Sequence, residues 1–64
     1  MNEGQEEQIR KLRHDLSNPL AAILAETQLL LLNADSYDQE TVTSLKEIES
    51  LARRMREMLQ GTIS

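Results

Sequence analysis

The sequence predicts an all-α protein in which two helices fold back on each other as an antiparallel hairpin. Strand-forming residues are scarce, and apolar residues recur every three or four positions in two separate blocks. A short segment, residues 33–37, lies between the blocks. So short a connection favours two antiparallel neighbouring helices. The length of 64 residues allows one domain, which we place at residues 1–64.

The first helix is predicted at about residues 5–33, after a frayed start at residues 1–4. Its apolar positions have the spacing of one helical stripe and are Ile9, Leu12, Leu16, Leu20, Ile23, Thr27 and Leu30. Further leucines at positions 24, 29, 31 and 32 exceed what one partner helix can cover. We therefore expect the hairpin to form a homodimer, which gives a four-helix bundle.

The second helix is predicted at about residues 37–60. Its apolar positions are Leu45, Ile48, Ala52, Met55 and Leu59, and Leu51 and Met58 widen the stripe. Ser36 followed by Gln39 is typical of a capping box that opens a helix. Gly61 is the residue predicted to end it.

Composition excludes several classes of function. The chain has 7 basic and 11 acidic residues, and a net charge of −4 argues against general nucleic-acid binding. With no cysteine there is no disulfide framework and no thiolate metal site, and we predict no bound metal. The longest uninterrupted apolar run, residues 29–32, is too short to span a membrane. We expect a cytoplasmic location and no direct membrane contact.

The face opposite the first apolar stripe carries a histidine and an asparagine. At about 100° per residue, His14 and Asn18 point to solvent and are neighbours one turn apart. A lone histidine on a helix is usually only a solvated surface residue. Pro19 argues against that reading here, because a proline inside a helix removes the hydrogen bond to the carbonyl of Asp15 and costs about 3 kcal/mol.

Small residues extend this face beyond Asn18. Ala21, Ala22 and Ala25 follow at the next two turns of the helix. Small side chains let the backbone of another protein approach closely. These three alanines are therefore the predicted docking surface for a protein partner.

Basic residues collect at the end of the hairpin that carries the histidine. Six of the seven lie there, namely Arg10, Lys11, Arg13, Arg53, Arg54 and Arg56. Folding the chain about residue 35 pairs residue i with roughly residue 70 − i, which sets Arg56 level with His14. One explanation is ordinary pairing with nearby glutamates and with a helix C-terminus. The other is a positive collar that attracts a phosphoryl group or an acidic partner, with Arg13 and Arg56 as candidates.

One heptapeptide resembles a known motif. The segment His14-Asp15-Leu16-Ser17-Asn18-Pro19-Leu20 resembles the H-box of sensor histidine kinases, H-[ED]-x-x-[NT]-P-L. The resemblance covers nearly the whole chain and implies the dimerisation and histidine-phosphotransfer domain, in which two helical hairpins form a homodimeric four-helix bundle. Ser17 departs from the basic residue that is common at its position in the family.

The resemblance implies a role for each polar residue of the motif. His14 would attack the γ-phosphate of ATP and pass the phosphoryl group to an aspartate of a response-regulator receiver. Asp15 would fix the histidine tautomer and take up its proton. Asn18 would orient the γ-phosphate, or a water during dephosphorylation, so phosphatase activity is expected to accompany transfer. Pro19 would be structural.

The chain is not expected to phosphorylate itself alone. It has two glycines and no glycine-rich loop, so ATP and Mg²⁺ would be bound by a separate catalytic domain. We expect part of a larger protein-histidine kinase, because residues 61–64 resemble the start of a linker. Two alternatives stay open: a stand-alone phosphorelay carrier, and a purely structural dimerisation coiled coil. The signal, the cognate receiver and any membrane anchor of the parent protein stay open as well.

Overall fold

The computed structural model describes residues 2–61 as two antiparallel helices joined by a short turn. Helix α1 spans Glu3–Leu31, a 3-10 turn spans Ala34–Ser36, and helix α2 spans Gln39–Gly61. The molecule measures 51 × 14 × 13 Å and has a radius of gyration of 15.3 Å. A compact domain of this length would have a radius of gyration of about 11 Å. The predicted all-α hairpin is confirmed, and it is a rod with little interior.

Helix α1 begins at Glu3 because Asn2 caps it. The Asn2 side-chain oxygen accepts a hydrogen bond from the Gln5 backbone N–H at 2.8 Å, and the Gln5 side-chain oxygen accepts one from the Asn2 backbone N–H at 3.3 Å. This reciprocal pair satisfies two N–H groups that a helix start otherwise leaves unpaired. The expected frayed start is therefore wrong for residues 2–4, and residue 1 lies outside the described residues.

Helix α2 is capped by Asp38, whereas the sequence pattern predicted Ser36. An Asp38 carboxylate oxygen accepts a hydrogen bond from the Thr41 backbone N–H at 2.8 Å. Hydrogen bonds from the Thr41 side chain and then its backbone hold the pKa of Asp38 below its ordinary value. Ser36 instead closes the 3-10 turn, its N–H donating to the carbonyl of Asn33 at 2.9 Å. Gly61, the residue predicted to end the helix, is the last described residue of α2.

The interior of the hairpin is small. The buried residues within 2–61 are Leu20, Leu24 and Thr27 of α1 and Ala52 of α2, with the half-buried Leu59 packed against them. The Thr27 hydroxyl donates to the carbonyl of Ile23 at 2.7 Å, which satisfies the one buried polar side chain of this part of the chain. Burying a leucine contributes about 1.5–3 kcal/mol. Fixing each residue of the backbone costs about 1–2 kcal/mol, so this core is too small for an isolated hairpin.

Both predicted apolar stripes divide between a covered and an uncovered face. Leu20 and Thr27 face α2, and so does Leu24, which the sequence analysis had counted as surplus. The large apolar side chains left 43 to 80% exposed are Leu12, Leu16, Ile23, Leu29, Leu30, Leu32, Ile48, Leu51, Met55 and Met58. A helical stripe is at least 100° wide, and a single partner helix covers only part of it. The uncovered apolar residues indicate an interface with a partner.

Candidate functional site

His14 lies on the first half of α1, on the side away from α2. Its side chain is 77% exposed, and its Nδ1 atom is 3.6 Å from a carboxylate oxygen of the 58% exposed Asp15. That separation is longer than a hydrogen bond, and it places the carboxylate beside Nδ1. A neutral imidazole has a proton on one nitrogen and a lone pair on the other. With Asp15 on the Nδ1 side, Nε2 is the nitrogen left available to react.

Asn18 shares the exposed face with His14. It lies four residues later, which is about one turn, and its side chain is exposed as the helical geometry predicts. Residues four apart are neighbours on a helix surface, so the Asn18 amide and the His14 imidazole share one exposed face. An amide offers both donors and an acceptor to an anion or to a water. One turn of α1 therefore presents a nucleophilic nitrogen, a carboxylate and an amide to solvent.

The backbone around these residues has an irregular pattern of hydrogen bonds. Pro19 lies inside α1 and has no N–H, so the carbonyl of Asp15 lacks its usual helical partner. The half-buried Ser17 donates its hydroxyl to the carbonyl of Arg13 at 2.7 Å. This bond engages the Ser17 hydroxyl with the helix itself. Ser17 therefore supports the backbone and adds no charge next to His14.

Pro19 also forms part of an apolar groove between the helices. The groove has a volume of about 240 Å³ and is lined by Leu16, Pro19, Leu20, Ile23, Met55, Met58 and Leu59. Every lining residue is apolar, and the groove begins within one turn of His14. This surface was not predicted from the sequence, although the extra apolar position Met58 of the second helix was a signal of it.

The groove shows how the two helices are aligned along the hairpin. It sets residues 55–59 of α2 against residues 16–23 of α1. Pairing residue i with 70 − i would instead have set residues 47–54 there. A symmetrical fold about residue 35 neglects the stagger that the turn imposes on the helices. Arg56 is consequently level with the groove and not with His14.

The basic residues near the histidine end are largely without ionic partners. Within residues 2–61, Arg53 pairs with Glu49 at 3.3 Å, and the remaining basic side chains form no ion pair. Arg13 is half-buried, which places it towards α2, while Arg56 is exposed. Pairing with a neighbouring glutamate therefore explains Arg53 alone among the basic residues of the described part of the chain.

The alanine surface is open to solvent. Ala21, Ala22 and Ala25 are exposed, and the same side of α1 continues to Leu29 and Leu32, which are 56% and 80% exposed. This long face, from His14 towards the turn, combines small and apolar residues. Its composition suits contact with another protein.

In residues 2–61 no group of three or more metal-ligating side chains comes together. Over the same residues, neither helix combines the length and the apolar character needed to cross a membrane.

Comparison with known proteins agrees with the motif and the geometry. Residues 5–63 match the family described as the His Kinase A (phospho-acceptor) domain. Searches of curated proteins and of solved structures found no match. The family match includes all of α2, all but the first two residues of α1, and the whole segment from His14 to Leu20. The chain therefore belongs to the His Kinase A family and is a phosphoacceptor and dimerisation domain of a histidine kinase.

Proposed function

We propose that His14 accepts the phosphoryl group from ATP and passes it to an aspartate of a response-regulator receiver. The observation that carries this proposal is the position of His14. It is the single histidine of the sequence, and its side chain is 77% exposed on a face that α2 does not cover. A phosphoacceptor must meet two different proteins in turn, and an exposed side chain on an open helical face is accessible to both.

The transfer step follows from the arrangement of His14 and Asp15. The Nε2 lone pair attacks the γ-phosphorus, and a nitrogen–phosphorus bond forms as the bond to the ADP oxygen breaks. ADP leaves with the bonding electron pair, and the ring gains positive charge. The Asp15 carboxylate, 3.6 Å from Nδ1, stabilises that charge and accepts the Nδ1 proton. The resulting phosphoramidate is reactive enough to phosphorylate a carboxylate.

Asn18 is proposed to act on the phosphoryl group from the following turn. Its amide can hold an oxygen of the γ-phosphate while His14 attacks. The same amide can orient a water that hydrolyses the aspartyl phosphate of a bound receiver, which would give the domain phosphatase activity. Pro19 is proposed to be structural.

The functional form is proposed to be a homodimer. Leu12, Leu16 and Ile23 of α1 lie on the uncovered side of the hairpin, where Met55 and Met58 of α2 join them. We name this surface the open apolar face. Packing two such faces together would make a four-helix bundle with His14 on its outer surface. The small core of the single hairpin is the physical reason to expect it.

Two other protein partners follow from the same proposal. A separate catalytic domain would bring ATP and Mg²⁺ to His14, since this chain has no glycine-rich loop. A receiver domain would then dock on the exposed alanines at positions 21, 22 and 25. Both encounters take place where ATP is made available, so we propose a cytoplasmic setting. A stand-alone phosphorelay carrier would use the same residues with a donor other than ATP.

Phosphorylation of the purified chain tests the role of His14. Phosphoramidate, or the parent protein's ATP-binding domain with ATP, would be the donor, and intact mass would report the adduct. We expect a phosphate that is labile in acid and stable in alkali, and that is absent from His14→Gln. Asp15→Asn should label roughly 100-fold more slowly, which is the lower end of the usual contribution of acid–base catalysis, while Asp15→Glu should recover most of the rate.

A folded dimer without label, tested with an active catalytic domain, would contradict the proposal. That result would favour a structural dimerisation coiled coil. Label that persists in His14→Gln would move the phosphorylation site to another residue. Circular dichroism of each variant serves as the control for folding.

A further inference from the structure

Two exposed basic residues lie within the turn before His14, in addition to the half-buried Arg13. Arg10 precedes it by four residues and Lys11 by three, so both are neighbours of His14 on the helix surface. At 100° per residue they lie about 40° to one side of His14 and about 60° to the other. Helical side chains lean towards the N-terminus, so the turn that carries both cations is the one that the side chain of residue 14 is expected to approach.

Both cations are available to a ligand. Arg10 and Lys11 are exposed, and neither forms an ion pair within the described residues 2–61. Glu6 and Glu7 are close enough in sequence to pair with them along the helix, yet no such contact forms. The guanidinium and the ammonium groups therefore keep all their hydrogen-bond donors for an anion.

The C-terminal side of His14 offers no comparable charge. Ser17 is half-buried and its hydroxyl is bonded to the carbonyl of Arg13. Asn18 is neutral, and Asp15 is an anion that would repel a phosphoryl group. The exposed positive charge next to His14 comes from Arg10 and Lys11, since Arg13 is half-buried.

We propose that Arg10 and Lys11 bind the anionic oxygens of the phosphoryl group transferred to His14, and hold that group once it is attached. The inference rests on the proposed role of His14 as the phosphoacceptor. The two cations form charge-assisted hydrogen bonds to the phosphoryl oxygens, and no covalent bond to either side chain forms or breaks. The nitrogen–phosphorus bond forms on Nε2 while the donor's bond to phosphorus breaks, and the donor's leaving group keeps the electron pair. The ligand chemistry is that of a terminal phosphoryl group, whether it belongs to ATP or to a small donor.

The test compares a variant that removes positive charge next to His14 with a variant that lowers the net charge equally on the other helix. Arg10→Gln combined with Lys11→Gln lowers the net charge by two. Lys46→Glu lowers it by the same amount on α2, in the part of that helix nearer the turn, and is the matched control. Exchanging the two residues, with Arg10→Lys and Lys11→Arg, keeps both charges and should rescue a loss caused by charge alone.

The first measurement is the rate of labelling by phosphoramidate at low and at high salt. At about 0.01 M salt the double glutamine variant should be phosphorylated about tenfold more slowly than the natural chain. The difference should shrink at about 1 M salt, where charges are screened within about 3 Å. Lys46→Glu and the exchanged variant should stay within about twofold of the natural rate.

The second measurement is a ³¹P NMR titration of the phosphorylated chain. Adjacent cations favour the dianion, so the phosphoryl group should titrate at lower pH in the natural chain than in the double glutamine variant. A merely structural role would leave this midpoint unchanged.

The outcomes separate the inference from the proposed function. Equal labelling rates and equal ³¹P titrations in the natural chain and the double glutamine variant would overturn the inference and leave His14 as the phosphoacceptor. A natural chain that takes no label would overturn both. If the double glutamine variant is still phosphorylated about tenfold more slowly than the natural chain at high salt, the role of charge would be overturned. An exchanged variant that is phosphorylated as slowly as the double glutamine variant would overturn it as well.

Discussion

Glutamate at position 23 tests whether the open apolar face is the dimer interface. Ile23 lines the groove and is 51% exposed in the single hairpin. Leu29 is 56% exposed on the same helix but lies about 120° away around its axis. The variants Ile23→Glu and Leu29→Glu thus add the same charge at sites of similar exposure. Only the first should disturb a dimer that packs through the groove.

The expected size of the effect follows from the exposure of Ile23. Full burial of an isoleucine contributes about 1.5–3 kcal/mol, so burying the exposed half contributes about 0.8–1.5 kcal/mol. A symmetric dimer buries two copies, which doubles this to about 1.5–3 kcal/mol. Losing that term weakens association about ten- to a hundredfold. Desolvating a carboxylate costs several kcal/mol more, so the dissociation constant should rise by at least a factor of about 100.

Sedimentation equilibrium over a range of protein concentrations would measure the dissociation constant. The natural chain and Leu29→Glu should sediment as dimers, and Ile23→Glu should sediment as a monomer with reduced helicity. The reasoning fails if Ile23→Glu dimerises as tightly as the natural chain. It also fails if Leu29→Glu dissociates to the same extent, since the interface would then include the opposite side of α1.

Three further predictions concern the stability of the hairpin. Leu24→Ala should lower the free energy of unfolding in urea by about 2–5 kcal/mol because Leu24 is buried, while Leu32→Ala, at an 80% exposed site, should change it by less than about 0.5 kcal/mol. Pro19→Ala restores a hydrogen bond to the carbonyl of Asp15, so it should raise the melting temperature and slow amide exchange in the adjacent turn. Asp38 has a lowered pKa in the fold, so its stabilising effect is present above the ordinary carboxyl range. That effect is lost as pH falls through the folded pKa. Asp38→Asn should therefore remove that part of the acid sensitivity of the melting temperature.

The candidate site could be predicted from the sequence because its geometry is local. His14, Asp15 and Asn18 lie within five residues of one helix, and helical spacing alone brings them together. Pro19 was recognised for the same reason, since its effect on the backbone depends only on being inside a helix. The roles of these residues stay predictions until the labelling experiments are made.

The N-cap residue of α2 could not be predicted from local sequence patterns alone. Ser36 and Asp38 are both residue types that cap helices well. The choice between them depends on the turn, because Ser36 closes the 3-10 turn and leaves Asp38 to bond the first turn of the helix. Two competent residues so close together cannot be ranked from propensity alone.

The sequence by itself determined the two helices, the hairpin, the motif from His14 to Leu20 and the surplus of apolar side chains. These follow from periodicity and from a motif whose members are neighbours along one helix. Tertiary structure alone decided that Leu24 is buried and Ile23 uncovered, and that residues 55–59 lie against residues 16–23. Such facts depend on the rotation and stagger of one helix against the other. Packing between the two helices sets this rotation and this stagger, and neither can be inferred from the spacing of residues within a single helix.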